Sequence, residues 1–428
     1  MIRRLLLTYV GLVVFVVVVG LIQGPANIFL LLDQAAAYAL IALGLNITFG
    51  YGGLFNLAIM GLMMIGAMGM TSLTAGINEA FWHSDEPVLI LRALLVAVIG
   101  GLVIALAHIV PKRYGVPGRW RFWISLVAWF GAYLAYRIHI DPAASLVEEG
   151  NGWVGGLGMP AIAGWVVGGI LAGIIAWIIG RISLGLRSDY LAIATIGMSE
   201  IIRAFVKNMD WLTHGTLTVT PLPWPVPLPQ DFQAGGAGIT ASFIYARGSF
   251  FILMIVLLIL AVFLVERAYL GPWGRMMRAI RDNVVAASSM GKDTTSRQLE
   301  IFVFGAVLMG IGGAVLATFG QIFDPSGYQP IDSTFLVWVM VIVGGMGNSY
   351  GAVFGAIGIY MVWVLADPVS HVVFNQISAW STSIGWPAIP DIDTRASQMR
   401  VFVLGLVITL ALRYAPRGIL PEVIRRHD

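Results

Sequence analysis

TFLVWVMVIVGGMGNSYGAVFGAIGIYMVWVLA, from Thr334 to Ala366, decides what fold this chain can adopt. The stretch has no charged residue, and a helix that crosses a bilayer needs about 20 such residues in a row. Its two halves, 334–346 and 350–366, are each short of that, and Gly344, Gly345 and Gly347, ahead of Asn348, interrupt the run where they meet. They read either as two short crossings or as one broken, re-entrant pair. Irregular backbone at membrane depth is tolerated only where it is buried in protein or lines a cavity. A second cluster of the same kind, Gly50, Gly52 and Gly53 before Asn56, lies near the other end of the chain. The two clusters read as broken helices related by a weak inverted repeat, or as close helix packing through small residues. Asn46, Thr48 and Asn56 are polar residues at the same depth and are candidates to line a pathway.

The rest of the sequence agrees with a membrane bundle. Of 428 residues 58% are hydrophobic and 11% charged, less than half the charge of a soluble domain. Apolar segments run near 28–49, 55–75, 88–110, 121–138, 157–180, 189–206, 249–266, 301–323 and 400–413, besides the opening pair. LLLTYVGLVVFVVVVGLI, which starts at Leu5, is followed by Gln23, Gly24 and Pro25 and not by a small-residue cleavage site, so it reads as a retained first span. The fold expected is an all-α, polytopic membrane helix bundle of about ten to twelve crossings, residues 1–428 forming a single transmembrane domain. With no cysteine, disulfides and thiolate chemistry are excluded.

Charge orients the bundle. Arg3/Arg4, Lys112/Arg113/Arg119/Arg121, Arg181/Arg187, the segment around Arg278 and the run from Arg413 to Arg426 alternate with loops carrying Asp85/Glu86, Asp141/Glu148/Glu149, Asp324/Asp332 and Asp391/Asp393. Basic loops face the cytoplasm, which puts both termini there. Two long outer loops are expected, 207–248, rich in proline, and 367–399. Solvated caps are the role read for Asp324 and Asp332.

Charge also gathers in GRMMRAIRDNVVAASSMGKDTTSRQ, residues 274–298, on the inner side. Met276, Met277, Ile280, Val284 and Ala287 recur along one helical stripe, with Arg275, Arg278, Arg281 and Asp282 on the other side. This predicts an amphipathic helix over 275–291. It rests on anionic headgroups or docks into a soluble partner. Gly291-Lys292 resembles the end of a phosphate-binding loop, but Ala286 and Asp293 stand where that loop needs glycine and a hydroxyl. No nucleotide site is expected in this chain, and no cofactor.

Glu200 lies eleven residues beyond Asp189, about 16 Å up a helix, and Arg203 follows on nearly the same face. Ionisable groups at such depth face a cavity or one another, so the pair reads as a pathway contact or as a self-neutralising ion pair. The six histidines, at 83, 108, 139, 214, 371 and 427, show no metal-ligand spacing. Nothing points to nucleic acid.

Three blocks carry a family resemblance: RAIRDNVVAASSMGKD in the charged segment, SDYLAIATIGMSEIIRAFVKNMDWLT at 188–213, and VMVIVGGMGNSYGAVFGAIGIY at 339–360. Together they resemble the LivM-type permeases of ATP-driven (ABC) importers for branched-chain amino acids, over residues 28–75 and 185–425. The match departs at His214, and at Val284 and Val285 ahead of Ala286 and Ala287. The resemblance implies a transport subunit and not an enzyme. Its partners would be two cytoplasmic ATPase subunits, a second related permease, a periplasmic substrate-binding protein and the bilayer of a bacterial inner membrane. It makes 275–291 the coupling helix: Arg275, Arg278, Arg281 and Asp282 would position it, Met276, Met277 and Ile280 would fill an apolar pocket of the ATPase, and Ala286, Ala287 and Gly291 complete the motif. The pathway candidates are Asn46, Asn56, Glu200, Arg203, Gly344, Gly345 and Gly347. Related readings are a permease for urea or short amides, and a self-sufficient secondary transporter that uses Glu200 and Arg203.

Overall fold

The computed structural model describes residues 2–150, 152–385 and 391–422. Arg425, Arg426 and His427, and the side chains of Arg3, Arg4 and Asp332, lie outside the described residues. The described chain is helical. Helix α1 is Ile2–Gln23; α2, Pro25–Leu45, continues as a π-helical turn, Asn46–Tyr51; α3 is Ile59–Thr74 and α4 is Glu79–Trp82. Helices α5 (Glu86–Arg113), α6 (Gly118–Gly150), α7 (Ala161–Ser183) and α8 (Ser188–Asn208) follow, then the short α9 (Asp210–Thr213) and α10 (Pro229–Ala234). The second half holds α11 (Ile239–Leu270), α12 (Pro272–Asp282), α13 (Val284–Ser289), α14 (Thr294–Gly320), α15 (Leu336–Gly344), α16 (Ser349–Ser383) and α17 (Ile392–Tyr414).

Seven helices among the described residues are long and apolar enough to cross a membrane, and three shorter apolar ones, Leu5–Leu21, Ile59–Thr74 and Ser333–Gly344, accompany them. The chain is a multi-pass membrane bundle. Two expected spans fall short. The 121–138 segment lies in α6, where Arg137, His139 and several tryptophans and tyrosines dilute the apolar run. The 189–206 segment lies in α8, an amphipathic helix carrying Asp189, Glu200, Arg203 and Lys207.

The centre is built by α2, α3, α7 and α14, with α15 and α16 beside them. Glycine lets three of these helices touch backbone to backbone. A β-carbon at Gly66 of α3 would collide with the Gly310 carbonyl of α14, and one at Gly168 of α7 would collide with the Gly66 carbonyl. Where lipid tails are as apolar as leucine, such close approach is a main source of helix association. Helices α5 and α6 pair with each other and share a small separate core around Phe81, Ile90, Ala93 and Val147.

The two long loops expected are shorter in the structure. Residues from Ile239 onward already belong to α11, and α10 occupies Pro229–Ala234. The 367–399 segment is mostly helix, because α16 runs through Pro368 to Ser383 and α17 starts at Ile392. Packed helices tolerate an internal proline when neighbours re-satisfy the freed backbone. Packing holds this helix in line past the proline: Asp367, next to Pro368, pairs with Arg400 of α17 at 3.3 Å.

Candidate functional site

Both glycine clusters are helix breaks. Gly345 has φ 128° and Gly347 φ 75°, so α15 stops there. Side-chain-bearing residues avoid that region. Asn348 then starts α16 by accepting from the amides of Tyr350 (3.0 Å) and Gly351 (3.3 Å), as an N-cap does. In the first half, α2 loosens into the turn Asn46–Tyr51, Gly53 takes φ 67°, and Asn56 Oδ1 accepts from the Ala58 amide at 2.9 Å just ahead of α3. In both halves glycine ends the helix run and an asparagine side chain bonds to a backbone amide two residues on, as the N-cap of α16 and as a turn ahead of α3.

The two breaks meet. Asn46 Oδ1 accepts from the Gly347 amide at 2.9 Å, Tyr51 and Ser349 hydroxyls lie 2.7 Å apart, and Trp338 Nε1 donates to the Asn56 carbonyl at 3.1 Å. A β-carbon at Gly50 would strike the Gly347 amide, and one at Gly344 the Gly351 carbonyl. Asn46 and Asn56 are fully buried, and the Nδ2 of each has no partner. The meeting point thus keeps two free amide donors.

One arginine ties this point to the charged segment. Arg281 Nη1 donates to the Gly50 carbonyl at 2.8 Å and lies 2.9 Å from Glu422 Oε2. Tyr269 Oη donates to Glu422 Oε1 at 2.6 Å, the Tyr51 and Tyr269 rings stack 3.7 Å apart, and the Arg278 guanidinium sits 5.0 Å from the Tyr269 ring centre. The chain just before Glu422 straps the second break: Ile419 and Leu420 amides donate to the carbonyls of Val343 and Gly344, both at 2.9 Å. Burial works against the Arg281 charge, but the hydrogen bond and charge of Glu422 outweigh it, and the guanidinium is held more firmly protonated than usual.

The charged segment is not the single helix expected over 275–291. Helix α12 ends at Asp282, Asn283 is extended (φ −158°, ψ 101°), and its side chain accepts from the Ala286 amide at 3.0 Å to start α13. Asparagine favours a cap over a helix interior because its side chain competes for backbone amides. The break changes the faces. Gly274, Met277, Ile280 and Ala287 are buried, Met276 is half-buried, and Val284, placed on the stripe by its spacing, is exposed. Arg281 is turned inward, its side chain only 20% exposed, whereas Arg275, Asp282, Ala286 and Gly291 are exposed. A groove of about 270 Å³ lies between the two short helices, lined by Met276, Ala279, Ala286, Ala287, Met290 and Lys292. Val285 and Met290 beside it are 74% and 81% exposed.

Glu200 and Arg203 form an intrahelical ion pair at 3.2 Å, with the Glu200 side chain 46% exposed. They lie off the face of α8 that packs on α3, which is Leu191, Thr195, Ser199, Ile202 and Val206. Ser199 and Thr195 hydroxyls on that face accept from the amides of Gly61 and Leu57. The structure brings Asn46, Gly347 and Gly50 together with Arg281, and sets Glu200 and Arg203 apart from them. Sequence reasoning missed Glu422 and Asp33. Glu422 gave no local signal. Asp33 did, as a single acid in the otherwise uncharged run of α2.

A polytopic bundle with two interrupted helices meeting in its interior, tied to a short polar lever at one end, is the build of a membrane permease. The family model described as branched-chain amino acid transport system / permease component matches residues 27–139 and 114–412, and the chain belongs to that family. It is similar to the high-affinity branched-chain amino acid transport system permease protein LivM of Salmonella typhimurium and of Escherichia coli K12, each 24% identical over 247 residues, 55% of this chain and 52% of the relative. A probable branched-chain amino acid transport permease protein LivM of Methanocaldococcus jannaschii is 25% identical over 240 residues, 55% of this chain and 61% of the relative. The chain thus spans about half to three fifths of the length of these relatives. No solved structure matches it.

Proposed function

We propose that the chain is the membrane-spanning subunit of an ATP-driven importer that moves branched-chain or similar small amino acids by alternating access. The observation that carries this reading is the Arg281 link, which joins α12 to Gly50 in one broken helix and, through Glu422, to the strap on the other. A displacement of α12 would reach both breaks at once, and interfaces of this kind switch between discrete packings.

In this reading the α12–α13 end faces the cytoplasm of a bacterial inner membrane. Arg181 and Arg267, in the last turns of α7 and α11, support that orientation by the positive-inside rule. Two ATPase subunits serve the transporter, and one seats on the groove beside Met276 and Met290. Exposed Val285 and Met290, outside the spans, are what a soluble partner would cover, and methionine adapts well to such contacts. Exposed Arg275 and Asp282 flank them as the polar rim. A second related permease completes the pore, and a periplasmic binding protein delivers the solute. Asn46, Asn56 and the Gly344–Gly347 break border the path, and Glu200 and Arg203 are a surface pair of α8.

Co-purification from detergent tests it. An ATPase should accompany the wild-type chain and be lost from the Val285→Asp, Met290→Asp double variant, while the variant still inserts in the membrane. An ATPase retained by the variant would refute the docking face.

A further inference from the structure

Asp33 stands in the first half of α2, which with α14 is one of the two most deeply enclosed spans of the bundle. Its side chain is 0% exposed, and neither carboxylate oxygen has a hydrogen-bond partner. Asn46 and Asn56 also leave an Nδ2 unpaired, but each bonds through its Oδ1, whereas Asp33 bonds through neither oxygen. Thr71, Thr74 and Ser183 return their hydroxyls to their own helix, Thr195 and Ser199 accept from the amides of Leu57 and Gly61, and the side-chain oxygen of Gln34 next to Asp33 accepts from the Tyr360 hydroxyl. A carboxylate left without a donor inside a bundle is costly, and such groups mark solute or ion paths.

Geometry narrows what the missing partner is. Asp33 lies one turn after Phe29, whose ring meets Phe251 of α11 at 6.1 Å, so the two residues share the face turned toward that helix. Residue 34 points to α16 instead, where Tyr38 and Tyr360 stack 5.1 Å apart. A divalent metal needs several oxygen ligands, and no group of three or more acidic or histidine side chains able to hold one occurs among the described residues. A single carboxylate among apolar helices, with Ala36 and Ala37 one turn on along its face, suits one organic ammonium with a small aliphatic body.

We propose that Asp33 receives the ammonium group of the amino acid in transit, when α2 and α11 part to admit it. The assignment rests on the transport reading above and adds the residue that recognises the positive end of the zwitterion. Removing one side of a buried charge pair weakens it by well over an order of magnitude.

The test uses vesicles that hold the chain with its partner subunits. Asp33→Asn is expected to lower ATP-dependent leucine accumulation on the order of tenfold or more. Asp33→Glu, which keeps the charge, should retain a measurable part of it, with both variants assembling with the partners as wild type does. Because the chain has no cysteine, Asp33→Cys introduces one thiol, whose reaction with an amine-bearing thiosulfonate is read as a mass increase of this chain. That thiol should react during ATP turnover. Wild-type accumulation by Asp33→Asn would overturn the proposal, and so would a thiol that stays unmodified throughout turnover. A wild-type complex that accumulates no leucine would overturn the transport reading instead. The thiol reaction still decides whether residue 33 lies on a solute path.

Discussion

Arg281 holds a backbone carbonyl of one broken helix and the carboxylate that guards the other. Removing one member of such a half-buried pair strands the other, at a cost of about 1–3 kcal/mol. Arg281→Ala should therefore lower the thermal midpoint of the purified chain clearly more than Arg275→Ala, whose side chain is exposed. Equal midpoints would refute the link. Arg281→Lys should restore little, since one ammonium does not reproduce the planar fork that serves both acceptors. The sequence grouped Arg281 with its outward-facing neighbours because helical period is a local property. Its partners Gly50 and Glu422 are distant in sequence and left no trace in that pattern. Glu200 and Arg203 show the converse: their spacing allowed a pathway contact or an ion pair, and the structure contains the ion pair at 3.2 Å, both partners sitting within one turn.

At the scale of elements, the breaks depend on two residue types. Asn348→Ala removes the cap of α16 and the bonds from its amide to the Leu420 and Pro421 carbonyls. A lost cap costs about 1 kcal/mol, and the two further bonds about 1 kcal/mol each. Gly345→Ala should cost more, because φ 128° is strained for any side chain and a β-carbon there would collide with the Leu420 carbonyl. Chemical-denaturant midpoints of the two variants give the order, and a harmless Gly345→Ala would contradict the close approach. These breaks were legible in the sequence, since glycine and asparagine act on their own backbone. The long α16 was not. Asp367-Pro368 reads as a stop, and what overrides it is packing against α17, which only the assembled fold supplies. The split at Asn283 was equally local, but the regular apolar spacing on either side masked it.

For the whole molecule, the apolar spans identified a membrane bundle. They could not tell an amphipathic surface helix such as α8 from a crossing, because both carry long apolar runs. Glycine contacts close the centre. Gly310→Val should separate α14 from α7, since even a β-carbon meets Ala172 and the backbone of Gly168. Protease resistance of the bundle in detergent should fall, and resistance equal to wild type would contradict the crossing. In the reading proposed above, the chain is a passive route moved from its α12–α13 end. The most direct measurement compares leucine accumulation in vesicles holding the chain alone with vesicles holding it together with its co-purified ATPase. Accumulation against the gradient is expected only with the ATPase and ATP present. Uphill uptake by the chain alone, driven by a proton or sodium gradient, would contradict it.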